Sequence, residues 1–481
     1  MYQIDFNRPQ HIHFIGIGGI SMSGLAEVLL GRGFKVTGSD AHDSDLIEHL
    51  RANGAVVTIG QKAENITPDI DVIVYTAAVH PDNPEFAAAA KSGCPMLTRA
   101  ELLGELMQNY HKSIAVAGTH GKTTTTSMIA HVLMAGDCDP TISVGGILPA
   151  IGGNIRVGAS DTFVTEACEY TNSFLSLIPT VGMILNVDAD HLDFFKDLDD
   201  IANSFHIFAS QIPADGTLVM NRDSKKFDEV TSGIACKLVT YSLKEDADYT
   251  AARIEHDAFG CGSFDCYENG NLLGRITLSV PGIHNVSNAL ATVAAVRTLD
   301  IPADVIIEGL KNFTGADRRF EYKGKMGEVT VIDDYAHHPT EIAATIKAAS
   351  ELGYNRVHVL FQPHRYSRTK ALCDEFPPAF AAADEVVLAP VYAAFEEPIP
   401  GGDITDLYAA FRGQSPQVRG QSPQVILAGS LDEGWRRLSL AAQPGDIIML
   451  LGAGDIINLV PRVKDEMAKR GTAATTPPPR P

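Results

Sequence analysis

The sequence lacks an excess of basic residues. Its 481 residues carry 38 Lys and Arg against 59 Asp and Glu, a formal net charge of −21. Nucleic acid binding demands a basic face, so a nucleic acid partner is not expected. A phosphorylated ligand stays open, because backbone amides bind phosphate inside an acidic protein. No apolar run approaches membrane-spanning length, so no membrane insertion is expected. The opening MYQIDFNRPQ lacks the basic-then-apolar pattern of a signal peptide. The seven Cys are scattered and form no CxxC pair, which argues against a disulfide frame or a zinc site. Together these absences point to a cytoplasmic setting. With 45% apolar and 20% charged residues, the composition is that of a globular chain of about two to four domains.

Apolar β-type runs alternate with helical runs, which predicts α/β architecture with mainly parallel sheets. HIHFIGIG and FKVTGSD read as strands around the helical SMSGLAEVLLGRG, and DVIVYTAAV as a further strand. After the helical RAELLGELMQNY a new strand, SIAVAG, begins, so a first unit is expected over 1–110. The second, 111–318, has a helix with Met128, Ile129, Val132 and Leu133 on one face and Gly136 at its end. DTFVTEA and TVGMILN follow as buried strands, and the short alternating runs from Gly216 to Val280 predict an antiparallel patch. The third unit, 319–471, holds EVTVIDDY, RVHVLF, EVVLAPV and DIIMLLGAG. The tandem GQSPQVR and GQSPQV (413–425) read as a duplicated surface loop without chemistry, and the tail 472–481 as disordered.

Two glycine loops carry the chemistry. In AVAGTHGKTTTT, an apolar strand runs into a glycine turn and a helix start, where free amides and the helix dipole favour phosphate. Lys122 is placed to reach terminal phosphates and the Thr123 hydroxyl to meet Mg²⁺. Val116 stands where the usual P-loop begins with Gly, so this form is shorter. Glu166, at the end of DTFVTEA, and Asn186, Asp188, Asp190 and His191 of VGMILNVDADHLDFF lie at strand ends, where metal ligands gather. Taken alone, Glu166 reads equally as a cap, and His191 as a structural histidine. The earlier loop, HFIGIGGISMSG, offers Gly16, Gly18 and Gly19, with Asp40 closing the next strand. The third Gly of GxGxxG falls on Ser21. An NAD-binding Rossmann site and a site for another diphosphate both fit this loop. Arg365 and Arg368 of FQPHRYSRT share a face if a helix starts there, and suit a carboxylate or phosphate. His337 and His338 of DDYAHHP make a poor zinc site.

FIGIGGISMSGLAEVL, GSD, AGTHGKTTTT, LNVDADHLD, PGIHNVSNAL, GADRRFE, DDYAHHPTEI and FQPHRYSRT fall in one order over nearly the whole chain. This series resembles the Mur ligase family of peptidoglycan synthesis. The resemblance implies three domains: a Rossmann-like N-terminal domain, a central P-loop-type ATPase domain and a C-terminal Rossmann-like domain. It implies an ATP-dependent acid–amino-acid ligase using Mg²⁺ (or Mn²⁺), with UDP-N-acetylmuramate, L-alanine and ATP as substrates. GIGG and DDYAHHP resemble the alanine-adding branch; the branch that reattaches murein tripeptide carries a GICGT-like loop and Phe in place of Tyr335. Two cradles are then expected because there are two phosphorylated substrates, facing each other across one cleft.

The implied roles follow the motifs. Gly16, Gly18, Gly19, Ser21, Asp40, His80 and Asn83 surround the UDP-sugar. Gly118, Thr119, His120, Gly121, Lys122, Thr123, Thr124, His284, Asn285, Asn288, Arg319 and Asp333 bind ATP. Thr123, Glu166 and His191 hold the metal, and Lys122, Glu166 and His191 are the catalytic set. Tyr335, His337, His364, Arg365 and Arg368 take the amino acid. Phe205 stands where several sister ligases carry a carbamylated Lys, so no carbamate is expected. The EACEY segment around Glu166 departs from the EADES form.

Overall fold

The structure, a computed structural model, describes residues 2–413 and 423–469. Residues 414–422 of the tandem copy and the tail 472–481 lie outside the described residues. Three sheets follow in chain order. The first has five parallel strands, with His11–Ile15 at its centre between Lys35–Asp40 and Val72–Tyr75. Val56–Ile59 and Met96–Thr98 close its two edges. The strand order reverses about His11–Ile15, so the loops after it and after Val72–Tyr75 form a crevice at the carboxyl ends of the strands. The first is the glycine loop and the second contains His80 and Asn83.

The second sheet has ten strands and is built about Lys112–Ala117, with Thr162–Glu166 on one side and Val181–Ile184 on the other, all parallel. Lys122–Ala135 follows the central strand, and Met128, Ile129, Val132 and Leu133 are all fully buried. The antiparallel patch is smaller than the alternation predicts. Thr217–Asn221 and Lys237–Ser242 extend the parallel sheet, and within this region antiparallel pairing involves only Tyr249–His256, Cys261–Glu268 and Asn271–Pro281; Thr141–Leu148 and Gly153–Arg156 form a separate antiparallel pair at the other edge. The crossover between the two parallel strands is a five-residue helix, Phe227–Thr231. That is too short to leave a helical period in the sequence. The third sheet has six strands, parallel except for the edge Glu321–Met326. The α/β class expected from the sequence is what the chain adopts.

Cores join these units unequally. One continuous apolar cluster runs from Phe14 and Leu25 in the first unit through Leu102, Leu106 and Tyr110 to Phe163, Phe174 and Phe205 in the second. Tyr110 stacks on Phe163 at 5.1 Å, and the Arg32 guanidinium lies over the Phe6 and Tyr110 rings at 4.9 and 5.4 Å. Phe205 is fully buried edge-on to Phe174. The third unit keeps its own clusters, one on each face of its sheet.

At the amino ends of the third sheet's strands, His358 is fully buried between two carboxylates. Its Nδ1 lies 3.0 Å from Glu385 Oε2 and its Nε2 3.0 Å from Asp446 Oδ2. Burial pulls the imidazole pKa down, but hydrogen bonds to the two acids outweigh it, and the net shift is upward. A raised pKa stabilises the fold fully below the unfolded value of about 6.5, and that contribution fades as pH rises through the folded value. His358→Gln should therefore cost about 3–5 kcal/mol at pH 6, as for other broken buried pairs. Denaturant titrations should show the penalty shrinking towards pH 9; a penalty flat across that range would mean that His358 is held uncharged.

Candidate functional site

The P-loop reaches its shape through glycine. Gly121 sits at φ 84°, before the helix Lys122–Ala135, and a Cβ there would come within 2.8 Å of Asn288 Oδ1. Only glycine adopts that backbone without strain. Asn186 clamps the loop: its Oδ1 accepts from the His120 amide at 2.8 Å, and its amide donates to the His120 carbonyl at 3.0 Å. Lys122 folds back over the turn. Its Nζ donates to Gly118 O at 2.6 Å, Thr119 O at 3.0 Å and the Glu169 carboxylate at 2.9 Å. Burial would lower the Lys122 pKa, but the Glu169 charge overrides it and the net shift is upward, so the ammonium stays charged.

Two cavities meet at this loop, with Gly121, Arg319 and Glu341 in the walls of both. The larger, about 580 Å³, is lined by Thr119, Lys122, Thr123, Glu166 and His191 from the second unit. Tyr335, His337, His364, Arg365 and Arg368 of the third unit line its other side. The smaller, about 340 Å³, is lined by His120, Thr124, His284, Asn285 and Asn288, with Phe320 and Asp334 across from them. Thus every residue expected for the metal and for the amino acid faces one cavity, and the expected ATP residues divide between the two. Gly118 lines neither cavity; its carbonyl accepts from Lys122 Nζ.

Asp333 differs from its expected place. Its carboxyl is fully buried, with Arg318 Nε at 3.3 Å and Lys323 Nζ at 3.8 Å, and lines neither cavity. Residues alternate faces along the strand Val329–Asp334, and the neighbour, Asp334, turns to the smaller cavity. There it accepts from the Phe320 and Ala336 amides, both at 2.7 Å, and burial raises its pKa to about 6.

Charge runs across the larger cavity. The Thr123 hydroxyl lies 3.2 Å from Glu166 Oε2, and the Gly145 amide donates to Glu166 Oε1 at 2.5 Å. Burial pushes the Glu166 pKa up. His191 has φ 54°, stacks on Tyr170 at 4.5 Å, and leaves Nδ1 buried without a partner among the described residues. Burial holds His191 below the usual imidazole pKa; the same cause takes His337 to about 4 and His364 to about 3. These rings are neutral at physiological pH. Arg368 donates through Nε and Nη2 to Asp190 Oδ1, both at 3.2 Å, and Arg365 Nη1 to Asp193 Oδ2 at 3.3 Å. The two arginine forks do share a side, as the spacing suggests, and both are engaged by carboxylates of the second unit. Of the four LNVDADH candidates, Asn186 holds the loop and Asp188 meets Lys225 and Thr340. Asp190 takes Arg368, and His191 has Nε2 3.9 Å from Glu169 and 3.8 Å from Asp190, which leaves its Nδ1 without a hydrogen-bond partner among the described residues.

The first unit stands apart. Among the described residues none of Gly16, Gly18, Gly19, Ser21, Asp40, His80 or Asn83 lines either cavity. Gly16 has φ 85° beneath Thr76, and Asp40 Oδ2 accepts from the Gly18 amide at 2.8 Å. The Asp40 carboxylate is thus occupied in holding the loop. Asn83 caps the helix Pro84–Ser92, while His80 and Ser21 are exposed. The helix Ile20–Gly31 packs at Gly24 against Ile155 of the strand Gly153–Arg156. The strand antiparallel to it, Thr141–Leu148, carries Gly145, Gly146 and Ile147 into the larger cavity's wall. Sequence reasoning left the role of Glu169 open and missed Asp334 and Glu341. A second acid three residues after Glu166 was the available signal for Glu169.

Three family models match in the same order as the sheets. They are described as Mur ligase family, catalytic domain (11–111), Mur ligase middle domain (116–296) and Mur ligase, glutamate ligase domain (318–454). The chain belongs to the Mur ligase family. Among individual Mur ligases, a Lachnospira eligens protein named UDP-N-acetylmuramate–L-alanine ligase is 52% identical over 95% of this chain and 98% of its own. An Agathobacter rectalis protein of the same name is 51% identical over the same shares. The crystal structure of UDP-N-acetylmuramate-alanine ligase MurC from Thermotoga maritima matches with TM-score 0.76 and 29% identity, covering 95% of this chain and 99% of that one. A murein peptide ligase from Psychrobacter arcticus, at TM-score 0.68 and 24% identity over 97% of this chain and 100% of that one, shares the fold.

In this Mur ligase the third unit meets the second through charge. Replacing both forks, Arg365→Ala with Arg368→Ala, should loosen that seam and raise the radius of gyration measured by small-angle X-ray scattering. An unchanged radius would mean that the remaining contacts hold the seam alone.

Proposed function

We propose that this Mur ligase joins L-alanine to the lactyl carboxylate of UDP-N-acetylmuramate, with cleavage of ATP to ADP and phosphate. One observation carries the reading: P-loop and arginine loop face one another across a single 580 Å³ cavity. The chain is also half identical, almost end to end, to proteins named for that reaction. The murein tripeptide reaction rests on a more distant likeness. An NAD-dependent oxidoreductase leaves the Lys122 cavity without a use. Seven free cysteines suit a reducing, cytoplasmic setting. No helix among the described residues is long and apolar enough to cross a membrane.

In this reading the nucleoside occupies the smaller cavity beside His284, Asn285 and Asn288, and the phosphates pass Gly121 into the larger one. Gly16, Gly18, Gly19, Ser21, Asp40, His80 and Asn83 hold the UDP-sugar, with its lactyl arm directed towards Lys122. The carboxylate attacks the γ-phosphorus, the bond to the β-bridging oxygen breaks, and an acyl phosphate forms. The alanine amine then attacks the carbonyl, phosphate leaves, and the amine loses a proton. Because two anions must approach, charge neutralisation and positioning carry the first step. Lys122 supplies charge by exchanging Glu169 for phosphate oxygens. Thr123 and Glu166 form an oxygen pair suited to Mg²⁺ (or Mn²⁺), and the neutral His191, whose Nδ1 has no hydrogen-bond partner among the described residues, fits beside them. The ion, when bound, neutralises phosphate charge. Arg365 and Arg368 grip the alanine carboxylate by exchanging Asp193 and Asp190 for it, with Tyr335, His337 and His364 around the methyl. Closure of the third unit keeps water from the acyl phosphate.

Phosphate release from ATP and UDP-N-acetylmuramate should be fastest with L-alanine. Glycine should fall by about 10–200-fold in kcat/KM, the value of one methyl, and murein tripeptide should give no turnover. Preference for the tripeptide would transfer the chain to the recycling reaction. Lys122→Ala should abolish phosphate release and leave UDP-sugar binding, read by calorimetry, within about twofold. Loss of both would mean that the two cradles are not separate.

A further inference from the structure

The first unit contains a buried polar chain that no step above uses. Strand His11–Ile15 turns His13 to the same face as its neighbours Thr37 and Ser39, in the register His13 to Thr37 and Ile15 to Ser39. Onto that face comes Glu85, from the first turn of helix Pro84–Ser92. Glu85, His13 and Ser39 are all nearly or fully inaccessible. Glu85 Oε1 lies 2.7 Å from His13 Nε2, and Oε2 accepts from the Ser39 hydroxyl at 2.6 Å. His13 Nδ1 lies 2.8 Å from Thr37 Oγ1, which also meets His11 Nε2 at 2.8 Å.

A buried carboxyl is costly unless fully paired, so its placement needs a reason beyond packing. Its three attachments supply one. Ser39 precedes Asp40, whose carboxylate holds the Gly18 amide. His13 lies three residues before Gly16. Glu85 follows Asn83, whose Oδ1 caps the Glu85 and Phe86 amides at 3.0 and 3.2 Å. One side chain thus ties together the three segments that converge on the crevice of the first sheet. We infer that Glu85 is a positioning residue: through His13 and Ser39 it sets the glycine loop, Asp40 and Asn83 at the spacing a nucleoside-diphosphate sugar requires. This rests on the reading that the first unit binds the UDP-sugar.

Hydrogen-bond accounting selects the rescuing variant. Thr37 has one proton for two imidazole nitrogens, and the outer nitrogen of His11 faces two acceptors, Asp69 O and Oδ2, each at 3.0 Å. The chain is satisfied when the Glu85–His13 pair holds one extra proton. A glutamine amide meets the same demand, donating to His13 Nε2 and accepting from Ser39. Glu85→Ala leaves both stranded.

Glu85→Ala should raise KM for UDP-N-acetylmuramate about tenfold or more, with KM for ATP and L-alanine within twofold and kcat largely kept, the pattern of lost ground-state binding. Glu85→Gln should restore KM to within about threefold of the parent. Ser39→Ala, a smaller lesion, should raise the same KM in the same selective way and keeps the test open if Glu85→Ala does not fold. Equal effects on all three KM values, an unchanged KM, or failure of Glu85→Gln to rescue would each overturn the inference. A parent protein without turnover of UDP-N-acetylmuramate would instead overturn the reading beneath it.

Discussion

The structure depends most on the seam along which the third unit meets the P-loop edge of the second, because that seam is closed by charge and hydrogen bonds. Arg368 meets Asp190, Arg365 meets Asp193 and Tyr170, Thr340 meets Asp188, and His338 lies 3.0 Å from the Ala189 carbonyl. His120, inside the P-loop, lies 3.3 Å from Glu341. Polar junctions of this kind favour relative motion, whereas large apolar ones resist it. The first and second units share one apolar cluster, reinforced by Arg32 between two rings. Such a chain is expected to hinge at the third unit and to keep the other two as one body. The two expected phosphate cradles lie on the rigid part.

Burial assigns charge within the larger cavity. Desolvation penalises ionised groups unless a partner compensates. His337 and His364 have no compensating acid strong enough and titrate at about 4 and 3, so they are neutral. Glu341 is just as enclosed, yet its pKa is held down against burial: its oxygens lie 3.3 Å from His120 Nδ1 and from the His337 amide, and the Arg319 charge acts in the same direction. Lys122 keeps its proton through Glu169. The cavity therefore presents Lys122 beside the P-loop, the Arg365 and Arg368 forks opposite, Arg318, Arg319 and Lys323 also in its wall, and the uncharged imidazoles of His337 and His364. Two anionic groups can be brought together there without an uncompensated charge.

Much of this was legible in the sequence because strand, loop and helix follow one another locally. An apolar run into GTHGKTT specifies a central strand, a turn needing glycine at Gly121, and a helix whose first residues face phosphate. The order of the strand-end motifs carried the family and the cavity-facing set. Partnerships set by tertiary packing were not legible. Glu169 is 47 residues from Lys122 in the chain. Asp333 and Asp334 are adjacent acids, and only the pleat of their strand decides which one turns to the cavity. Glu85 reads as an unremarkable acid in the first turn of a helix, and its burial shows only when the sheet is assembled. The parallel pairing of Thr217–Asn221 was hidden by a five-residue crossover.

The seam and the phosphate chemistry converge on two adjacent residues. Asp190 Oδ1 receives both nitrogens of the Arg368 fork and, at 2.7 Å, the amide of His191. One oxygen thus fixes the third unit and the backbone of the residue facing Glu166 and Lys122. That backbone is in a left-handed region at φ 54°, uncommon for histidine and costly unless its surroundings enforce it. Arg318, Phe320 and Arg365, which line the same cavities, have φ of 58°, 48° and 69°. Four left-handed residues thus lie where the two bodies touch, although others, such as Asp137, Arg253 and Asn269, lie elsewhere. If Arg368 exchanges Asp190 for a substrate carboxylate, the Asp190 oxygen loses its cation and the constraint on His191 changes with it. Occupancy of the expected amino-acid side and the geometry of the expected phosphate side would then be linked through a single carboxylate, with no longer path required.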